Sequence, residues 1–223
     1  MPEPVKPNIG DNLVIIHKVI SRAIEVSKED ILSFGMTEFL DDSIKEGFTN
    51  YLQCLVTVLR AHHLSEDELI FPFLQEKLPD APYKPLTIQH QAAEKLLGQL
   101  ESGIQSLLDG GSTKAVFIGL SQPITKLSTL WFPHIKVEER SFSADNIHQA
   151  INREEQQSLL KAVAEFSQQH SKPEFLVIPF VLFNLPAELQ EVMSKGMPPM
   201  LVQQLVPIDW KDKWGSMKPF LLD

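Results

Sequence analysis

Imidazole and carboxylate recur in this chain at a separation of four. His62 precedes Glu66, His90 precedes Glu94, and His134 precedes Glu138. On a helix, residues four apart stand one above the other on one face, so such a pair can hold one metal ion or reach toward two. Seven histidines among 29 acids in 223 residues should meet an acid at i+4 about once by chance. Five do, the others being His63 with Asp67 and His170 with Glu174. Pro173 breaks any helix between the last two. The remaining four pairs exceed the chance level and favour a constellation over solvated His–Glu pairs, which add only a few tenths of a kcal/mol to a helix.

The apolar pattern around these pairs has helical period. Leu13, Ile16, Ile20, Ala23, Ile24 and Ile31 predict a first helix over about Asn12–Ser33, with Asp11 as N-cap and His17 on the inward stripe. A second helix is expected from Asp42 or Ser43 to about Lys77, its last turns bent or tightened by Pro72. The prolines of 78–85 mark a loop, and a third helix follows to about Leu108. After the Gly110–Gly111 turn, a fourth segment runs from about Lys114 to Asn146, interrupted near Pro123 and kinked or restarted near Pro133. His17 lies about 17 residues before the first turn and His62 about 20 beyond it, while His90 lies about 20 before Gly110 and His134 about 23 after Gly111. In an up-and-down bundle rising ~1.5 Å per residue, these equal climbs bring four histidines to one level.

Composition narrows the function classes. A net charge of −9 argues against nucleic acid or an anionic membrane surface as partner. No apolar run approaches the ~18 residues of a membrane span, and the proline-rich start has no signal-peptide character, so residues 1–10 are expected to be a disordered lead. The single cysteine, Cys54, precludes an intramolecular disulfide, and a cytoplasmic setting follows. Beyond Ile147, prolines accumulate. A helix is expected over Asn152–Gln169, and short ones over Pro186–Lys195 and Pro199–Val206. Trp210, Trp214, Met217 and Phe220 form an aromatic-rich end, expected to cover the bundle or to wall its site.

Imidazole and carboxylate without paired cysteines suit iron, manganese or zinc, and bundle cores with Glu and His at helical spacing commonly hold paired iron or manganese ions. The ordered set His17, then His62-x3-Glu66, then His90, then His134-x3-Glu138 resembles the hemerythrin-like, or HHE, cation-binding family. The resemblance covers roughly residues 10–147. It implies an all-α, left-handed, up-and-down four-helix bundle over 11–147, with 148–223 as a helical or irregular C-terminal extension similar to that of fungal members. It further implies a non-haem centre of two iron ions, with manganese or zinc ranking behind. Glu66 and Glu138 would bridge, and His17, His62, His90 and His134 would be terminal ligands. Oxygen-carrying hemerythrins have five histidines and an HxxxH on the third helix, where this chain has Glu94. Glu94 and His63 are therefore candidates for an additional ligand or an outer hydrogen-bond partner.

Two functions are carried forward. One is a hemerythrin-like protein binding dioxygen or a related small ligand as carrier, sensor or iron store. The alternative is a di-iron oxidase or oxygenase acting on an organic substrate, with the extension shaping its pocket. A small dry pocket beside the metals suits the first, and an organic-sized one the second.

Overall fold

The computed structural model describes residues 8–37, 40–111 and 113–222. Four long helices carry the site: α1 (Ile9–Met36), α2 (Asp42–Ser65) with its continuation, α4 (Tyr83–Leu108) and α5 (Thr113–Ser141). No strand occurs among the described residues, and no helix there is long and apolar enough to cross a membrane.

Helix α1 begins earlier than its periodicity suggests. Asn8, not Asp11, is the N-cap: the Asn8 side chain accepts from the Asp11 backbone N–H, and the Asp11 carboxylate accepts from that of Asn8. This reciprocal pair satisfies two of the donors left open at a helix start. Most of the expected lead, residues 1–7, lies outside the described residues; 8–10 belong to the helix and its cap.

Pro72 widens the second helix instead of tightening it. Between α2 and α3 (Phe71–Gln75), residues Glu66–Ile70 form a π turn in which the Phe71 N–H reaches back five residues to the Glu66 carbonyl. A proline cannot donate to the carbonyl four residues back, and its ring crowds that carbonyl; the wider turn relieves both. Such turns recur at functional sites, and this one starts at Glu66.

The fourth helix is not interrupted. α5 runs through Pro123 and Pro133 without a break. Each proline forfeits one backbone bond, but the helix is clamped between α1 and α4 and buries Phe117, Leu120, Ile124, Leu127, Trp131 and Ile135 along one side. Tertiary packing overrides the local penalty. Gly110, with φ of 82°, makes the preceding turn.

After the short α6 (Ala144–Ala150), helix α7 (Arg153–His170) is capped by Asn152 and Glu155. The apolar run at 175–183 forms α8 (Glu174–Phe183), and α9 (Ala187–Lys195) follows. A wide-turned segment Leu201–Asp209, α10 (Lys211–Trp214) and a 3-10 turn Gly215–Phe220 end the chain. This extension shares the bundle's core. Phe180 packs edge-on to Tyr51 at 5.0 Å, and Phe220 lies 5.1 Å from Phe48. Arg22 donates to the Phe220 carbonyl (2.8 Å), to the Tyr51 hydroxyl (3.3 Å) and to Asn184, pinning extension to bundle.

Two apolar clusters result. The larger fills the bundle from Val19 and Leu59 outward under the extension; the smaller gathers Leu13, Phe71, Leu74, Leu86, Phe142 and Ile147. Between them lies a polar layer.

Candidate metal centre

Five histidines and two glutamates meet in that layer: His17 from α1, His62 and His63 from α2, Glu66 from the π turn, His90 from α4, and His134 and Glu138 from α5. All seven are buried, Glu66 and Glu138 completely. They divide into two groups whose ligating atoms lie within 4.8 Å of one another: His17, His62, Glu66 and Glu138, and His63, Glu66, His90 and His134. Donors sit about 2 Å from a bound transition metal, so each group has the dimensions of one cation's shell. Glu66 belongs to both. Glu138 also spans the layer, with Oε2 at 3.3 Å from His17 Nε2 and Oε1 at 3.1 Å from His134 Nε2 and 3.5 Å from His90 Nε2.

The register places the histidines at one height. Ring centroids of His17 and His62 are 5.1 Å apart, of His63 and His90 4.1 Å, and of His90 and His134 4.9 Å. His63 is turned about 100° from His62 around the helix, which sets the two consecutive rings on either side of the layer's midline, one in each group. Glu94 is elsewhere. The buried line of α4 steps from His90 to Ala93, Leu97, Leu100, Ile104 and Leu107. That three-then-four stepping leaves i+4 on the solvent side. The Glu94 carboxylate is half exposed and takes a two-pronged contact from Arg60, which also binds Glu101. It is neither a member of the cluster nor a hydrogen-bond partner of its histidines.

The rings are aimed from behind. His17 Nδ1 lies 2.9 Å from Glu139 Oε1, His90 Nδ1 3.0 Å from Asp67 Oδ1, and His134 Nδ1 2.8 Å from Gln89 Oε1. The hydrogen-bonded oxygens on Nδ1 of His17 and His134 fix the proton there and leave Nε2 as a lone pair facing inward. The Asp67 charge stands against His90 Nδ1 without an aligned hydrogen bond and favours the proton on that side electrostatically. Trp131 closes one side, its ring 5.4 to 6.0 Å from those of His17, His62, His63 and His134, and its Nε1–H is donated to Ser21 Oγ. Phe71 stacks on His90 from the other side. Asp67 and Glu139 are legible as acids trailing Glu66 and Glu138; nothing in the sequence marks Gln89.

This arrangement is costly without a cation. Both oxygens of Glu66 and of Glu138, Nε2 of His17, His62 and His63, and Nδ1 of His90 are buried without an aligned hydrogen-bond partner. Apart from His90 Nδ1, which faces Asp67, their nearest polar neighbours are one another. His90 Nε2 and His134 Nε2 point at each other across 3.2 Å, where at most one proton fits. Orphaned buried groups each cost about 1–3 kcal/mol, more when charged, and a positive ion within reach of the inward-facing ones removes that cost there. The residues fit a pair of cations.

Burial raises the Glu66 carboxyl well above the ordinary range, and the Glu138 charge adds to it. Burial acts on Glu138 in the same sense, but the imidazoles of His134, His17 and His90 prevail and hold it well below. His62 and His63 are held neutral, well below 6.5, by burial and by neighbouring imidazoles. His17 and His90 are raised despite burial, His17 by Glu138 and Glu139, His90 by Asp67 and Glu138. The signs combine into a prediction for the metal-free protein. Below pH 6.5 the unfolded chain protonates His62 and His63 while the fold resists, so stability falls as pH falls. Above 6.5 the contributions of His17 and His90 are lost as pH rises through their raised values, and Glu66 resists ionising throughout. Stability of the metal-free protein should therefore peak near pH 6.5. Urea unfolding at pH 5.5, 6.5 and 7.5 with chelator present checks this; a midpoint rising steadily across the three would contradict it.

A curated-protein search and a solved-structure search each returned no match. The family model described as the hemerythrin HHE cation binding domain matches residues 12–144, from the fourth residue of α1 to the first of α6. Those bounds enclose all seven clustered residues and more than half the chain, and the chain belongs to the hemerythrin HHE cation-binding domain family.

Proposed function

We propose that this protein holds two iron ions in the layer between its apolar clusters and uses them to bind dioxygen or a related small ligand, as a carrier, a sensor or an iron store. His17 and His62 would serve one ion and His63, His90 and His134 the other, with Glu66 and Glu138 shared. A bound iron pair supplies reversible one-electron chemistry and open positions for a small ligand. The chain's own residues orient the imidazoles through Glu139, Asp67 and Gln89, and exclude water through Trp131, Phe71 and the clusters on either side.

The observation that carries the small-ligand reading is the size of the space beside the centre. A cavity of about 10 Å³, lined by His63, Gln89, Ala93, Leu127, Leu130, Trp131 and His134, adjoins the three-histidine group. Such a volume is at the lower limit for a single water, far below what an organic substrate needs. A groove of about 750 Å³ does exist, between Cys54 and Thr57 of α2, Ile104 of α4, and Pro173 and Leu176. None of the seven clustered residues lines it. Glu94 lies outside both ligating groups, so it adds no third carboxylate to Glu66 and Glu138 there.

Elemental analysis and optical spectra test the metal assignment: about two irons per chain and near-ultraviolet oxo-bridge absorption are expected, and a protein that takes up no metal on reconstitution refutes it. Ala93→Leu tests the cavity. Ala93 is buried, lines this cavity and belongs to neither ligating group. Iron content should stay unchanged, while azide affinity of the ferric protein drops by about tenfold or more, the equivalent of overpacking by 1–3 kcal/mol. Unchanged azide binding would place the small-ligand site elsewhere.

A further inference from the structure

Each shared glutamate is followed at once by a second acid, as Glu66–Asp67 and Glu138–Glu139. The first acid of each doublet enters the buried layer, and the second turns to the Nδ1 of a histidine on another helix. Asp67 Oδ1 meets His90 of α4 at 3.0 Å, and Glu139 Oε1 meets His17 of α1 at 2.9 Å. The two contacts never serve the same group: His90 belongs with His63 and His134, and His17 with His62. Thr87, one turn before His90, donates its hydroxyl to the same Asp67 oxygen at 2.8 Å and steadies it. Both outer carboxylates stand at the rim, Asp67 28% and Glu139 35% exposed, so neither lies inside the ligand layer itself.

We propose that Asp67 and Glu139 are positioning residues, each dedicated to one cation position: Asp67 to the three-histidine position through His90, and Glu139 to the two-histidine position through His17. The inference rests on the two-cation reading of the centre. A carboxylate on Nδ1 does two things at once: it fixes the tautomer that presents Nε2, and it makes that nitrogen a stronger donor. Because each carboxylate acts on one histidine of one group, its loss weakens one position and spares the other. The π turn contributes by carrying Glu66 and Asp67 together at the point where α2 passes α4.

The test uses full-length protein and copper(II) alone, with Asp67→Ala and Glu139→Ala beside the wild type. Calorimetric titration should give two copper ions per wild-type chain. In each variant one of the two should bind about 10- to 100-fold more weakly. The identity of the spared position is read from nitrogen couplings in the electron paramagnetic resonance of samples with one copper per chain. Two coupled imidazoles are expected in Asp67→Ala and three in Glu139→Ala. Asp67→Asn and Glu139→Gln keep an oxygen that can face Nδ1 while removing the charge; each should show an intermediate loss confined to the same position. Where an alanine variant fails to fold, unchanged affinity in the amide variant overturns the positioning role. A wild type with two ions and variants with both affinities unchanged overturns the positioning role, as does loss of the same position in both variants. A wild type that binds no copper overturns the two-cation reading and this proposal with it.

Discussion

Glu66→Gln is expected to have opposite effects on the protein with and without metal. Glutamine keeps the shape of the side chain, but its amide cannot serve as an anion shared by two cations. Loaded wild type gains about 2.7 kcal/mol per position when free metal stands at a hundred times its dissociation constant. For two positions in a chain of this size, that corresponds to roughly 10–20 °C in melting temperature. Glu66 belongs to both ligating groups, so the variant should lose most of this shift and most of its bound metal. Without metal the sign reverses. The Glu66 carboxylate is fully buried, both its oxygens lack partners, and the Glu138 charge lies against it. An amide has neither a charge to bury nor a proton to take up on folding, so the metal-free variant should unfold at higher urea than metal-free wild type at pH 7.5. Melting curves of both proteins with and without added iron(II) under anaerobic conditions read all four states. A variant destabilised equally in both states would mean that Glu66 is a packing residue, and that the layer owes nothing to a cation.

Much of this centre is visible in the sequence because its logic is helical. The climb from each turn places His17, His62, His90 and His134 at one level, and the geometry keeps that register. Spacing fails where a helix face is not the one the pair suggests. Glu94 follows His90 at the same interval as Glu66 follows His62, yet the α4 stripe steps through Ala93 and Leu97, and Arg60 draws Glu94 outward. His63 carries the converse lesson. Taken alone, one inward stripe admits His62 and turns its neighbour aside, but a layer serving two ions is wide enough to use both. A fifth histidine thus comes from α2 and not from the third long helix. The outcomes at proline are set by packing. Pro123 and Pro133 are absorbed in a helix held on two sides, whereas Pro72 displaces the register into a π turn. Gln89 is beyond sequence reasoning, because its acceptor role depends on how α4 and α5 rotate against each other.

Removing residues 171–223 is expected to cost the bundle its fold, not merely its cover. Read as sequence, this stretch is an extension packed on a bundle that could stand without it. The packing says otherwise. Leu176, Val177, Phe180, Leu185, Trp214, Met217, Phe220 and Leu221 belong to the same continuous apolar cluster as Phe48, Tyr51, Leu52 and Leu55. Fully burying one such side chain contributes about 1.5–3 kcal/mol, and a whole domain is stable by only about 5–15 kcal/mol. Several are lost together on truncation, and their bundle neighbours turn to water at the same time. Backbone fit points the same way: a Cβ on Gly47 would stand 1.8 Å from the Ser216 carbonyl oxygen, so α2 carries glycine where the C-terminal 3-10 turn lies against it. Arg22, on α1, would lose the Phe220 carbonyl and Asn184 at once. Chain 1–170 should therefore show helical far-ultraviolet dichroism without a cooperative melt, and should bind the dye ANS, as expanded helical states do. Iron(II) would recover part of the fold, because every clustered ligand precedes residue 171 and metal binding is coupled to folding. A truncated chain that melts cooperatively without metal, within a few degrees of the full-length protein, would show that the extension rests on the bundle without completing its core.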